Sequence, residues 1–225
     1  MSWQGLPRLV ATTVWTNLPL LLAIDVCMVV AAVPALVAVL VGGHLAAPLI
    51  AAVTLGPLWA ATVATTDRMV RDEPVSLQAF GSALRRHAGR GVRLGVVAGT
   101  AVTAFLGTVA TLAVNPGQRW LLVPLAADGA VMVLLGLVGL TAFTLTTSGG
   151  LRGWVLVRVA LEAVTAHRMP VAGAVALIVL IAALVSWVPG TSAVVPAPLA
   201  VFLSAWTMRA YARFDLKPGE RVDDD

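Results

Sequence analysis

Two carboxylates stand inside long apolar runs: Asp25, within Leu18–Val41, and Asp128, within Leu121–Thr147. An ionisable side chain in such surroundings is a functional candidate by default, because a proton, a hydrogen-bond partner or water must make it tolerable. Asp25 lies seven residues into its run, about 10 Å along a helix rising 1.5 Å per residue. No Lys or Arg falls inside any of the apolar cores to pair with it. It is therefore protonated, hydrogen-bonded to Thr or Asn groups, or open to water. Both a satisfied structural carboxylate and the lining of a polar ligand cavity meet those conditions. Asp128 has a plainer reading. Pro124 precedes it, and Ala126–Leu145 alone is long enough to span. Asp128 then sits in a first helical turn near the outer surface, stabilised by the helix dipole.

The remaining inventory for chemistry is thin. His44, His87 and His167 lie apart, and Cys27 is the one cysteine. No HExxH, GxSxG, phosphate-loop or dinucleotide signature is present, and no metal ligands cluster. Ser148-Gly149-Gly150 reads as a helix end rather than a phosphate cradle. No catalytic, metal-binding or cofactor-binding residues are expected, and no enzyme.

The elements that position these residues follow from composition. Of 225 residues 59% are hydrophobic and 12% charged, against about 45–50% and about 25% in soluble domains. That excess excludes a water-soluble globule and a disordered chain. Six apolar runs stand out: 18–41, 45–66, 94–114, 121–147, 171–188 and 192–208. A bilayer core of about 30 Å needs about 20 helical residues, and backbone in lipid must bond to itself. The expected fold is an all-α polytopic transmembrane bundle of six spans, one domain over 1–212 with a charged cytoplasmic tail over 213–225. The last two spans form a hairpin about Val188-Pro189-Gly190. The first run is too long for the apolar part of a cleavable signal peptide. Ser2–Asn17 reads as an interfacial lead-in.

Charge gives a direction. With 68–93 taken as cytoplasmic, 14 of the 15 basic residues fall on that side and Arg119 alone on the other. Retention of Lys and Arg inside then puts the protein in the cell membrane with both termini cytoplasmic. The pI of about 10.5 is thereby a topology signal and not a sign of nucleic acid. Trp120 and Trp187 mark the outer boundary, Trp154 and Trp206 the inner one.

Between spans, Ser76 can cap a helix, with Val75 and Phe80 as its hydrophobic staple. Leu77, Phe80 and Leu84 form its apolar stripe, and Arg85, Arg86 and Arg90 lie off that face. The expected element is an amphipathic helix lying on the inner leaflet, its arginines against anionic lipid. A second surface helix carries the stripe Trp154, Val157, Leu161 and Val164, with Arg158 and Glu162 as an i,i+4 pair. Both read as connectors or as docking elements for a partner. Gly91, Gly95, Gly99 and Gly107 form a small-residue stripe for close helix packing within the bundle. Gly56-Pro57, Pro196 and Pro198 predict kinks or irregular turns.

Asn17 with Pro19, an apolar span with Pro34, Gly56-Pro57, Ala60-Ala61, the linker Arg68-Met69-Val70-Arg71-Asp72-Glu73-Pro74-Val75-Ser76, and Phe80 through Arg85-Arg86-His87 together form a pattern. It resembles the YesL-like family of bacterial integral membrane proteins. The similarity covers about residues 10–95 and continues more weakly to about 190. The resemblance implies an accessory or regulatory membrane component associated with solute, in particular carbohydrate, uptake. It implies a transporter subunit or another membrane protein as partner beside the lipid bilayer, and supplies no catalytic residues. The family is often drawn with five spans, so the terminal hairpin is where the two pictures differ. A small-molecule binding or transport bundle, with Asp25, Gly56-Pro57 and the last span lining a pocket, is the alternative.

Overall fold

The computed structural model describes residues 5–115, 117–148, 153–166, 176 and 195–211, and these are helical with no strand. In chain order the helices are α1 (Leu6–Thr16), α2 (Leu18–Leu40), α3 (Ala47–Val70), α4 (Leu77–Val114), α5 (Leu122–Ser148), α6 (Gly153–Ala166) and α7 (Pro196–Tyr211). Of these, α2, α3 and α4 are long and apolar enough to cross a membrane. The expected fifth span (171–188, residue 176 excepted), the Val188-Pro189-Gly190 turn, Ser148-Gly149-Gly150 as a unit and the 213–225 tail lie outside the described residues.

Local sequence accounts for the joints. Asn17 donates to the Thr13 carbonyl from both its backbone N–H (3.1 Å) and Nδ2 (3.0 Å), and its own carbonyl opens α2. The expected lead-in is thus a helix, α1, with Leu6 and Thr13 buried and Trp15 80% exposed. Between α2 and α3, Gly42 adopts φ +85°, a left-handed value that a Cβ disfavours. Gly43 N–H reaches Ala38 O and Gly42 N–H reaches Val39 O, the paired bonds of a Schellman stop. α3 ends the same way with a residue that has a Cβ: Asp72 has φ 59°, Glu73 N–H bonds Arg68 O, and Asp72 N–H bonds Met69 O. The Arg68–Glu73 ion pair at 2.8 Å closes over that turn. Ser76 then accepts from Ala79 N–H at 3.2 Å. Val75 and Phe80 pack into the same cluster as Leu21, Ile24, Ala61, Val70 and Val201.

Sequence and structure part at α4. The amphipathic helix and the third span are one unbroken helix of 38 residues, about 57 Å long, where a surface helix and a separate span are expected. The reason is local. Gly-Val-Arg-Leu-Gly at 91–95 contains no breaker as strong as proline, and close packing of its glycines on α3 offsets their poor helix propensity. Leu77, expected on the apolar stripe, is 56% exposed. On α6 the buried positions are Leu156 and Ala160, one step round from the expected stripe, whose Val157 and Leu161 are half-buried; the side chains of Trp154 and Val164 lie outside the description. α6 packs by Leu156 and Ala160 onto Val138 and Leu145 of α5, with Leu94 of α4 alongside. Arg158 and Glu162 pair at 2.9 Å.

α2 is two-faced in an unusual sense. Leu21, Ile24, Asp25 and Met28 are buried, while Leu22, Val26, Val29, Val30, Val33, Leu36 and Val37 are exposed. Such a continuous apolar surface does not stay in water. Its solvent is lipid or another apolar partner.

Candidate functional site

Asp25 faces the bundle interior and is 2% exposed. Its Oδ1 accepts a 2.9 Å hydrogen bond from the backbone N–H of Ala197, in the first turn of α7. That turn begins beside the interior of α2, seven residues from the start of that helix. Helix starts leave N–H groups unsatisfied, which is costly away from water. The sequence at α7 disposes of them individually. Pro196 and Pro198 have no N–H to satisfy. Ala197 gives its own to Asp25, and Leu199 gives its own to Val195 O at 3.0 Å. The prolines that suggest kinks in the sequence therefore begin a helix. The partner of Asp25 is a backbone amide, where Thr or Asn side chains are expected.

Asp25 Oδ2 is also buried and has no hydrogen-bond partner among the described residues. That oxygen can hold a proton or accept from a polar group brought to it. Within the first turn of α7, Pro196 to Leu199, no free amide is left to offer an anion.

Below Asp25, α3 and α7 meet along small and hydroxylated residues. Ala60, Ala61, Ala200, Ala205, Thr62, Thr65, Thr66 and Ser204 are each at most 1% exposed. Thr62 and Thr65 donate back to Leu58 O and Ala61 O at 2.8 Å, and Thr66 and Ser204 join hydroxyl to hydroxyl at 2.9 Å. Thr207 donates to Leu203 O at 2.6 Å. These hydroxyls are spent inside the seam, which therefore reads as packing. Trp206, expected at the inner boundary, is 1% exposed, packed inside the bundle where α7 contacts α1, α2, α3 and α5. Asp67, near the foot of α3, pairs with Arg71 at 3.2 Å.

Asp128 lies elsewhere. α5 starts at Leu122, so Asp128 is in its second turn, one turn deeper than the sequence places it. Its Oδ2 accepts from Thr108 Oγ1 at 2.7 Å, which ties α5 to α4. The structure does not bring Asp25 and Asp128 together: Asp25 packs with α7, Asp128 with Thr108. Among the described residues no group of His, Cys, Asp and Glu could hold a metal ion.

Of the glycine stripe, Gly91 approaches Gly56 and Pro57, Gly95 approaches Ala52, and Gly99 approaches Pro48 and Ala52. A Cβ on Gly95 would stand 2.6 Å from Ala52 O, and one on Gly99 2.8 Å from Pro48 O. A Cβ on Gly107 would meet nothing within 4 Å among the described residues, so Gly107 takes no part in this contact. Arg85 and Arg86 are exposed and Arg90 is half-buried. His87 turns inward at 8% exposure, its Nδ1 without a partner among the described residues. Sequence reading missed the Asp25–Ala197 bond and the Thr66–Ser204 pair. A Pro-x-Pro at a helix start is the signal for the first, whereas hydroxyls 138 residues apart carry none.

Compared with known proteins, the chain matches no family model, no curated protein and no solved structure.

Proposed function

We propose that the chain is a bacterial multi-pass cell-membrane protein of the YesL-like kind, with six spans and both termini in the cytoplasm. It serves as an accessory or regulatory component associated with solute, in particular carbohydrate, uptake. It acts by contact with a transporter subunit or another membrane protein, without covalent chemistry. The observation that carries the membrane part is the lipid-compatible face of α2, together with α2, α3 and α4 as helices of spanning length. The one-sided distribution of 14 of 15 basic residues supports the orientation. The resemblance over residues 10–95 supports the association with uptake.

Affinity purification of the full chain from native membranes under gentle solubilisation tests this reading. Co-purification of transporter subunits is expected, and repeated recovery of the chain alone would contradict it.

The alternative, a bundle that binds or transports a small molecule at Asp25, draws on one observation, the buried Oδ2 without a hydrogen-bond partner among the described residues. Its substrate would have to donate a hydrogen bond or carry positive charge. Unchanged uptake by an Asp25→Ala variant in reconstituted vesicles would remove it.

A further inference from the structure

α3 and α4 are locked in antiparallel register by their smallest residues: Gly91 on Gly56, Gly95 on Ala52, Gly99 on Pro48. Each step of four along α4 is matched by four back along α3. Extending that register puts Arg93 opposite Thr54, Arg86 opposite Ala61 and Arg85 opposite Thr62. Those rows of α3 fall inside its apolar stretch, 45–66. The unbroken α4 therefore carries its arginines alongside the second span, where a separate surface helix would have kept them clear of it. Arg93 stands twelve rows from Thr66, about 18 Å at 1.5 Å per residue.

The arginines share one face. Gln78, Ser82, Arg85, Arg86, Gly89 and Arg93 are exposed, and the opposite face, with Phe80, His87 and Gly91, is buried. α4 contains no acidic residue. Among the described residues, Arg68, Arg71 and Arg158 each have a carboxylate partner, whereas Arg85, Arg86 and Arg93 have none. A guanidinium at that depth needs an oxyanion, water or a route to the surface. Arg85 and Arg86 stand four and five rows from Thr66, near enough to snorkel. Arg93 is beyond easy reach of the headgroup plane. The group whose chemistry answers all three is a phosphate, which a guanidinium grips bidentately, carried by a molecule whose tails tolerate the apolar flank of α3.

We propose that the Arg85–Arg86–Arg93 face of α4 is a binding site for the phosphate headgroup of an anionic lipid, drawn along the helix below the general headgroup plane. This rests on the membrane reading above and deepens its inner-leaflet contact, adding Arg93 as the innermost ligand.

The test uses the full chain reconstituted into nanodiscs of equal phosphatidylglycerol and phosphatidylcholine, re-extracted in mild detergent, with retained lipid quantified. Wild type should retain phosphatidylglycerol in excess. The excess should fall about fivefold for each arginine changed to Gln, with Arg93→Gln effective alone. Arg93→Lys keeps the charge and should keep most of the excess, which guards against loss through misfolding. Arg158→Gln, on α6, should leave it unchanged. Equal retention of the two lipids by wild type, or undiminished excess in the triple Gln variant, would overturn the proposal. Displacement of the lipid by millimolar inorganic phosphate would also overturn it, in favour of a soluble phosphorylated ligand. The assay does not depend on which side α4 faces, so its failure is distinct from failure of the orientation.

Discussion

Asp25 holds the start of α7 by a single 2.9 Å bond to Ala197 N–H, and two prolines remove the other demands of that turn. A buried donor left without an acceptor costs about 1–3 kcal/mol. Asp25→Ala should therefore lower stability by that amount, read as the shift of the unfolding midpoint in detergent. Asp25→Asn keeps a carbonyl oxygen for Ala197 and should lose clearly less. Equal losses would mean that neither an acceptor oxygen for Ala197 nor the volume of the side chain is what counts, and that the carboxyl group itself is required at this position. The Thr66–Ser204 pair admits a double-mutant cycle with Thr66→Val and Ser204→Ala. A coupling of about 0.6 kcal/mol is expected, in line with interhelical hydroxyl bonds in membrane bundles. Independent effects would show that each hydroxyl is satisfied by its own helix. At this scale the sequence exposes Asp25 as anomalous, because a carboxylate among Leu, Ile and Val is visible in any window. It does not reveal the partner, which is a backbone amide 172 residues away and has no side-chain signature.

Among the elements, α4 separates two kinds of glycine. A Cβ on Gly91 would meet Pro57 Cα at 2.7 Å and the carbonyl of Gly56, both backbone and unable to yield. Gly91→Ala should destabilise by about 1–3 kcal/mol, as overpacking does. A Cβ on Gly107 would meet nothing within 4 Å among the described residues, so Gly107→Ala should stabilise by up to about 1 kcal/mol through helix propensity alone. Opposite signs at two positions of one helix, measured by the same unfolding assay, would be hard to obtain from any other register. At the end of α3, Asp72 holds φ 59°, and a side chain in that region costs about 1–2 kcal/mol. Asp72→Gly should relieve part of this, for a gain of up to about 1 kcal/mol after the added freedom of the unfolded chain; a loss would show that the Asp side chain itself supports the turn. Helix starts and small-residue stripes were legible because their signals are local: Ser76 with Val75 and Phe80, and glycines every four residues. The union of surface helix and span was not. Amphipathic and apolar periodicities describe which side of a helix is covered and are silent on whether its axis bends between them.

For the whole molecule, the central claim is a direction through the membrane. Composition makes the membrane itself legible, and the exposed apolar face of α2 agrees with it. Orientation rests on charge alone, since helices of spanning length look the same inverted. The anionic inner leaflet and the membrane potential both oppose moving the 68–93 block, with its six arginines, outward. Single cysteines introduced by Ser82→Cys, Gly117→Cys, Thr165→Cys and Gly190→Cys, in a Cys27→Ala background, read this directly with a membrane-impermeant thiol reagent on intact cells. Gly117→Cys and Gly190→Cys should react, while Ser82→Cys and Thr165→Cys should stay protected until the cells are opened. Protection at Gly190 alone would remove the terminal hairpin and leave the rest, whereas labelling at Ser82 from outside would contradict the orientation and every cytoplasmic contact derived from it.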